Sequence, residues 1–142
     1  MVCKFNMNFA DIAVGTVVSF ERTITASDVQ VFADLTGDHN AVHVDVAAAT
    51  KTKFSQPIAH GMLVGSLFST LVGMHCPGEG CVYLSQTLQF RAPVFYGDVV
   101  TVVGEVIAKN ESLRLLTLKM EARKGSEVVI SGEARVTVLP YV

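Results

Sequence analysis

Ser55-Gln56-Pro57-Ile58-Ala59-His60-Gly61-Met62-Leu63-Val64-Gly65-Ser66-Leu67-Phe68-Ser69-Thr70-Leu71-Val72-Gly73-Met74-His75-Cys76-Pro77-Gly78 runs without an Asp, Glu, Lys or Arg in a chain of 142 residues. Its length meets the crude requirement for a membrane-spanning helix. Gln56, Pro57, His60, Ser66, Ser69, Thr70 and His75 interrupt its apolar character, however, and no basic cluster flanks it. The alternative is a helix buried on all sides, with an apolar subunit interface taking the remaining surplus. That reading fits better, so no membrane association is expected. Ser55-Gln56-Pro57 is then a loop, the helix begins near His60, and Gly78-Glu79-Gly80 ends the segment.

Everything after this helix reads as strand and turn. Val82, Leu84, Leu88 and Phe90 alternate with Tyr83, Ser85, Thr87 and Gln89. Tyr96-Gly97-Asp98 turns the chain into a strand over 99–109. Asn110-Glu111-Ser112 leads to a second over 113–123, and Lys124-Gly125-Ser126 to a third over 127–139. Long strands joined by such tight turns are antiparallel neighbours. Upstream, residues 16–24 make a plausible first strand. Thr25-Ala26-Ser27-Asp28 is a capping-box pattern that opens a helix with Val29, Phe32, Ala33 and Leu35 toward the core. Residues 45–53 suit a short Ala-rich helix, and residues 1–13, with little periodicity, suit a loosely docked arm. The pattern predicts an α+β fold with an antiparallel sheet, and 142 residues suffice for one domain, 1–142, with a sizeable core.

Half of the residues are hydrophobic and the mean hydropathy is +0.44. A net charge of −2, with no basic block, gives no electrostatic case for nucleic acid. Cys3, Cys76 and Cys81 are odd in number and show no Cys-x-x-Cys spacing. They suggest reduced thiols in a cytoplasmic setting, not a disulfide frame or a zinc ribbon. The N-terminus lacks the basic and long apolar regions of a secretory signal.

Against this background, Leu35-Thr36-Gly37-Asp38-His39-Asn40-Ala41-Val42-His43 concentrates polar chemistry in a chain only 17% charged. Gly37 and Asn40 are turn residues, so the segment is expected to leave the helix and fold on itself. One reading is an Asx-turn and helix C-cap that happens to carry histidines. A second is a metal pair, His39 and His43, but Gly37 and Asn40 argue against the shared helical face it needs. The third is a general acid/base dyad, Asp38 and His43 converging on one water.

Phe32-x-x-Leu35-Thr36-Gly37-Asp38-x-Asn40-x-x-His43 resembles the signature of the MaoC-like R-specific enoyl-CoA hydratases, the hydratase 2 family, with Ala41 where proline is usual. The similarity continues through Pro57-Ile58-Ala59-His60-Gly61-Met62-Leu63 and Phe90-Arg91-Ala92-Pro93-Val94-Phe95-Tyr96-Gly97-Asp98. The resemblance implies a hot-dog fold, a curved sheet wrapped around a central helix. It also implies a homodimer, no cofactor and no metal, and an acyl-CoA or acyl-carrier-protein thioester as substrate. The implied reaction is reversible syn addition of water to a trans-2-enoyl thioester, giving an (R)-3-hydroxyacyl thioester.

Such an addition needs a base for water, an acid for the carbon next to the carbonyl, and hydrogen-bond donors for the developing enolate oxygen. Asp38 and His43 can supply the first two. The backbone N–H of Gly61, in the first helical turn, either packs against a strand or serves as the donor; the resemblance favours the donor. Asn40 is expected to orient the dyad or cap the turn, and His39 and His60 to be structural. Gly61, Gly65, Ser69 and Val72 share one face of the helix, which suits either close packing on the sheet or a groove for the acyl chain. Two alternatives remain at this stage: a hot-dog thioesterase using Asp38 to activate water, and a non-catalytic acyl-thioester binder.

Overall fold

Thr25 accepts the N–H of Asp28, and the Asp28 carboxylate accepts the N–H of Thr25 in return. This reciprocal cap starts α1 (Ala26–Thr36) in the computed structural model, which describes residues 7–140. Val29 and Ala33 are buried and Phe32 half-buried, at the three- and four-residue spacing of one helical face. Leu35, expected on that face, is exposed instead. It lies two residues beyond Ala33, about 200° around the helix.

The first strand, β1 (Val17–Thr23), precedes α1, and two four-residue helices follow it: α2 (Ala41–Val44) and α3 (Val46–Ala49). The segment holding His43 is thus helical for one turn, where only a turn was expected. Asn40 explains this by capping the new helix. Next comes α4 (Gly61–Thr70), which continues into a wider π-type turn over Leu71–His75. The remaining strands are β2 (Cys81–Gln86), β3 (Gln89–Phe90), β4 (Val99–Asn110), β5 (Leu115–Lys124) and β6 (Glu127–Val138).

All strands join one antiparallel sheet in the order β1-β4-β5-β6-β2, with β3 also paired to β6. The strand expected over 82–90 is split where Thr87 crosses Gly132. A Cβ at Gly132 would stand only 1.8 Å from the Thr87 carbonyl oxygen, so glycine permits the bend. On the inner face Val100, Val102 and Val106, then Leu116, Leu118, Met120 and Ala122, are buried at period two. Phe68, Leu71 and Val72 complete this core. α4 touches β5 and β6, and its π-type extension touches β1, β2 and β4, so the helix lies across the sheet. This is the hot-dog arrangement.

Two expectations are corrected here. Phe9 and Ile12 are buried, and Lys109 Nζ donates to the carbonyls of both at 2.9 Å, so the described part of the N-terminal arm is anchored. Residues 1–6, including Cys3, lie outside the described residues. The central helix is not covered on all sides by its own chain: Met62, Ser66 and Ser69 form an exposed stripe at spacings of four and three. No helix among the described residues is long and apolar enough to cross a membrane.

Candidate active site

Three successive side-chain caps shape the turn after α1. Gly37 takes the left-handed conformation at φ 82°, reversing the chain as its N–H closes on the Ala33 carbonyl at 2.8 Å. Thr36 Oγ1 then accepts the N–H of Asp38 at 3.2 Å, and Asp38 Oδ1 accepts that of Asn40 at 3.2 Å. Asn40 Oδ1 accepts the N–H of Val42 at 3.3 Å and thereby starts α2. The Asp38 carboxylate is left half-exposed, with a His43 ring nitrogen within 4.8 Å of it.

His43 is held from two sides. Its Nδ1 lies 2.8 Å from the Ile58 carbonyl, which can only accept, so the hydrogen sits on Nδ1 and Nε2 keeps a lone pair. The Tyr96 hydroxyl donates to the His43 carbonyl, and burial pushes that hydroxyl's pKa up, which keeps it a donor. His60 reaches the same place from the start of α4. Its Nε2 donates to the Asp38 carbonyl at 2.9 Å and lies 3.8 Å from Asp38 Oδ2, while its ring stacks on His43 at 3.9 Å.

One carboxylate oxygen of Asp38 and one ring nitrogen each of His43 and His60 lie within 4.8 Å of one another. One water can bridge such a span, since two hydrogen bonds of about 2.8 Å meeting at a tetrahedral angle reach roughly 4.6 Å. The His39–His43 metal pair does not form. His39 is exposed and lies 3.6 Å from Asp34, outside this group.

Gly61 opens α4, and the first N–H groups of a helix have no partner within it. Its position is set by the strand beside it: Ala59 N–H donates to the Val94 carbonyl at 2.7 Å, and Ile58 bridges Phe95. The following turn is locked by Asp98, which accepts the Phe95 N–H at 2.8 Å and the Lys124 ammonium at 2.9 Å. A cavity of about 480 Å³ lies here, lined by His43, Gly61, Val64, Phe90, Val94 and Ile130 among others. Lys53 and Arg91 add the charged groups of its wall. Arg91 binds Ser131 and Gln89, and neither cation has a carboxylate partner among the described residues.

Gly65, Ser69 and Val72 do not line this cavity. Leu88 covers Gly65, where an added Cβ would meet Leu88 Cδ1 at 3.2 Å; Val72 is enclosed in the core, and Ser69 is exposed. The structure therefore brings together Asp38, His43 and Gly61, uses Asn40 as a cap, and separates the other three, with only Gly65 lying under Leu88.

A family model described as "MaoC like domain" matches residues 9–130. The chain belongs to the MaoC-like family. It is 43% identical over 130 residues to the 3-hydroxybutyryl-CoA dehydratase of Methylorubrum extorquens, covering 92% of this chain and 83% of the relative. It is 41% identical over 129 residues to the (R)-specific enoyl-CoA hydratase of Aeromonas caviae, covering 90% and 96%. The solved structure of the A. caviae (R)-hydratase superposes with a TM-score of 0.88 over 91% of this chain and 98% of that one. In this MaoC-like chain, sequence reasoning set His60 aside as structural and gave Tyr96, Lys53 and Arg91 no part. The available signal for His60 was a lone imidazole beside Gly61 within a charge-free run.

Proposed function

We propose that this MaoC-like protein is an R-specific enoyl-CoA hydratase, adding water reversibly and syn to trans-2-enoyl-CoA. The observation that carries this reading is the convergence of the Asp38 carboxylate and a His43 ring nitrogen within 4.8 Å, beside the cavity that Gly61 lines. One water accepts direction from both groups. As its oxygen bonds to the β-carbon, His43 Nε2 takes its proton, and the thioester oxygen gains charge as an enolate. The Gly61 N–H, at the positive end of the α4 dipole, donates to that oxygen. The proton then passes from His43 to the α-carbon on the same face, so one water is consumed and both groups are restored. Dehydration retraces these steps.

Lys53 and Arg91 suit the phosphates of a CoA thioester at the cavity wall. A short acyl group fits the cavity as it stands. A longer tail follows Gly61, Gly65, Ser69 and Val72 once Leu88 moves aside. The protein works as a homodimer, which covers the exposed stripe of α4, and free Cys76 and Cys81 favour a reducing, cytoplasmic setting. Crotonyl-CoA tests the reading: loss of enoyl absorbance without release of free thiol is expected. Free CoA would instead mark a thioesterase, and neither change a binder.

A further inference from the structure

His60 is the one buried polar side chain among the described residues, at 2% exposure. Burying an imidazole costs free energy unless its nitrogens are engaged, and Nδ1 here meets no hydrogen-bonding group. An apolar side chain would fill the space without that cost. Nor does the helix require an imidazole, because the side chain makes no capping bond at α4, whose first residues it precedes. It turns instead toward a carbonyl 22 positions earlier, that of Asp38. Its ring is clamped between Phe32, at 4.8 Å and 51°, and His43, at 3.9 Å and 29°.

We propose that His60 is the positioning residue of the dyad. Its two contacts do separate work. The Nε2–H fixes the Asp38 peptide and so aims the carboxylate, whose own backbone is otherwise a solvent-facing turn. The ring face sets the tilt of His43, which the single bond to Ile58 leaves free to rock about the Nδ1–H···O direction. Together they hold the two catalytic groups at the separation one water spans. A misplacement of about 1 Å in such a constellation costs about 10² in rate, which explains why a poorly satisfied imidazole occupies a buried site.

The inference rests on the reading of Asp38 and His43 as the dyad, and the experiment separates the two. His60→Phe keeps a flat ring beside His43 but loses the donor; His60→Gln keeps a donor for the Asp38 carbonyl but loses the ring. With crotonyl-CoA, each is expected to lower kcat by about 10- to 100-fold with KM changed less than about threefold. In a His43→Gln background the same changes should cost almost nothing more, because residues acting through one group are not additive. Circular dichroism and gel filtration confirm which variants fold, and either variant alone suffices for the comparison. His60→Phe at the parental kcat would reduce His60 to a space-filler and overturn the proposal, as would losses that multiply in the double variant. His43→Gln at the parental rate would overturn the dyad reading itself.

Discussion

The Nδ1–H that His43 gives to Ile58 decides which nitrogen faces chemistry, since only Nε2 retains a lone pair. Asp38→Asn preserves the turn but removes the carboxylate, and His43→Gln removes the proton acceptor. Each should lower kcat for crotonyl-CoA by about 10² to 10⁴, His43→Gln through loss of the proton carrier and Asp38→Asn through loss of the charge that orients the water, with little loss of folding. His39→Gln, at an exposed site beside Asp34, is the control and should stay near the parental rate. Two near-parental rates for the dyad variants would remove the assignment. These residues were legible in the sequence because Asp-x-Asn-x-x-His carries its own turn chemistry: Asp38 and Asn40 bond to backbone groups two positions ahead. His60 was not, because its partners lie far off in sequence and only the packing of α4 against the turn brings them into contact.

At the scale of elements, periodicity located the helix and the long strands but not what covers them. Spacing put Gly61, Gly65, Ser69 and Val72 on one face of the helix, but in the structure Gly65 lies under Leu88, Ser69 is exposed and Val72 is in the core. In the structure, Phe90 lies over Gly61 and Leu88 over Gly65, so the connection from β2 to β3 is seated on that row. Each four-residue step also turns the row by about 40°, which carries Ser69 toward the open side. A long acyl tail along this face therefore has to displace Leu88. Leu88→Ala is expected to raise kcat/KM for hexenoyl-CoA and longer substrates while leaving crotonyl-CoA nearly unchanged, since each buried methylene is worth about 0.8 kcal/mol. Val72→Phe in that background should take the gain away. Melting curves must accompany the kinetics, because enlarging a core residue costs roughly 1–3 kcal/mol. Equal changes on short and long substrates would mean that the tail takes another path.

For the whole molecule, two surfaces decide behaviour. The first is the set of paired carboxylates. Burial alone would raise the Asp98 pKa, but the hydrogen bond and charge of Lys124 and the Phe95 N–H outweigh it, so the carboxyl is held below its ordinary range. The backbone and side chain of Thr25, with Arg22, lower Asp28, and hydrogen bonds from Arg123 lower Glu121. A folded-state pKa below the unfolded one gives stability that is present above the unfolded value and lost as pH falls through the folded one. Stability should therefore begin to fall below about pH 4–5, near the ordinary values of Asp and Glu, and Asp98→Asn should flatten part of that fall in acid-dependent melting curves. An unchanged profile would mean that the Lys124 pair contributes nothing. The second surface is the free edge of the sheet. β2 ends the strand order, and Cys81-Val82-Tyr83-Leu84-Ser85-Gln86 carries no charge to discourage pairing, whereas β1 at the opposite edge carries Glu21 and Arg22. Val82 is 40% exposed and Leu84 56%, and Met62, on the open stripe of α4, is 57% exposed. Two copies related by a two-fold axis can pair these edges antiparallel. Light scattering coupled to gel filtration should thus find a species near 30 kDa, about twice the 15.2 kDa chain. Leu84→Lys should shift it toward monomer by placing a charge on the shared edge. A uniform 15 kDa species at micromolar concentration would rule the dimer out, and an intact dimer in Leu84→Lys would move the interface off β2.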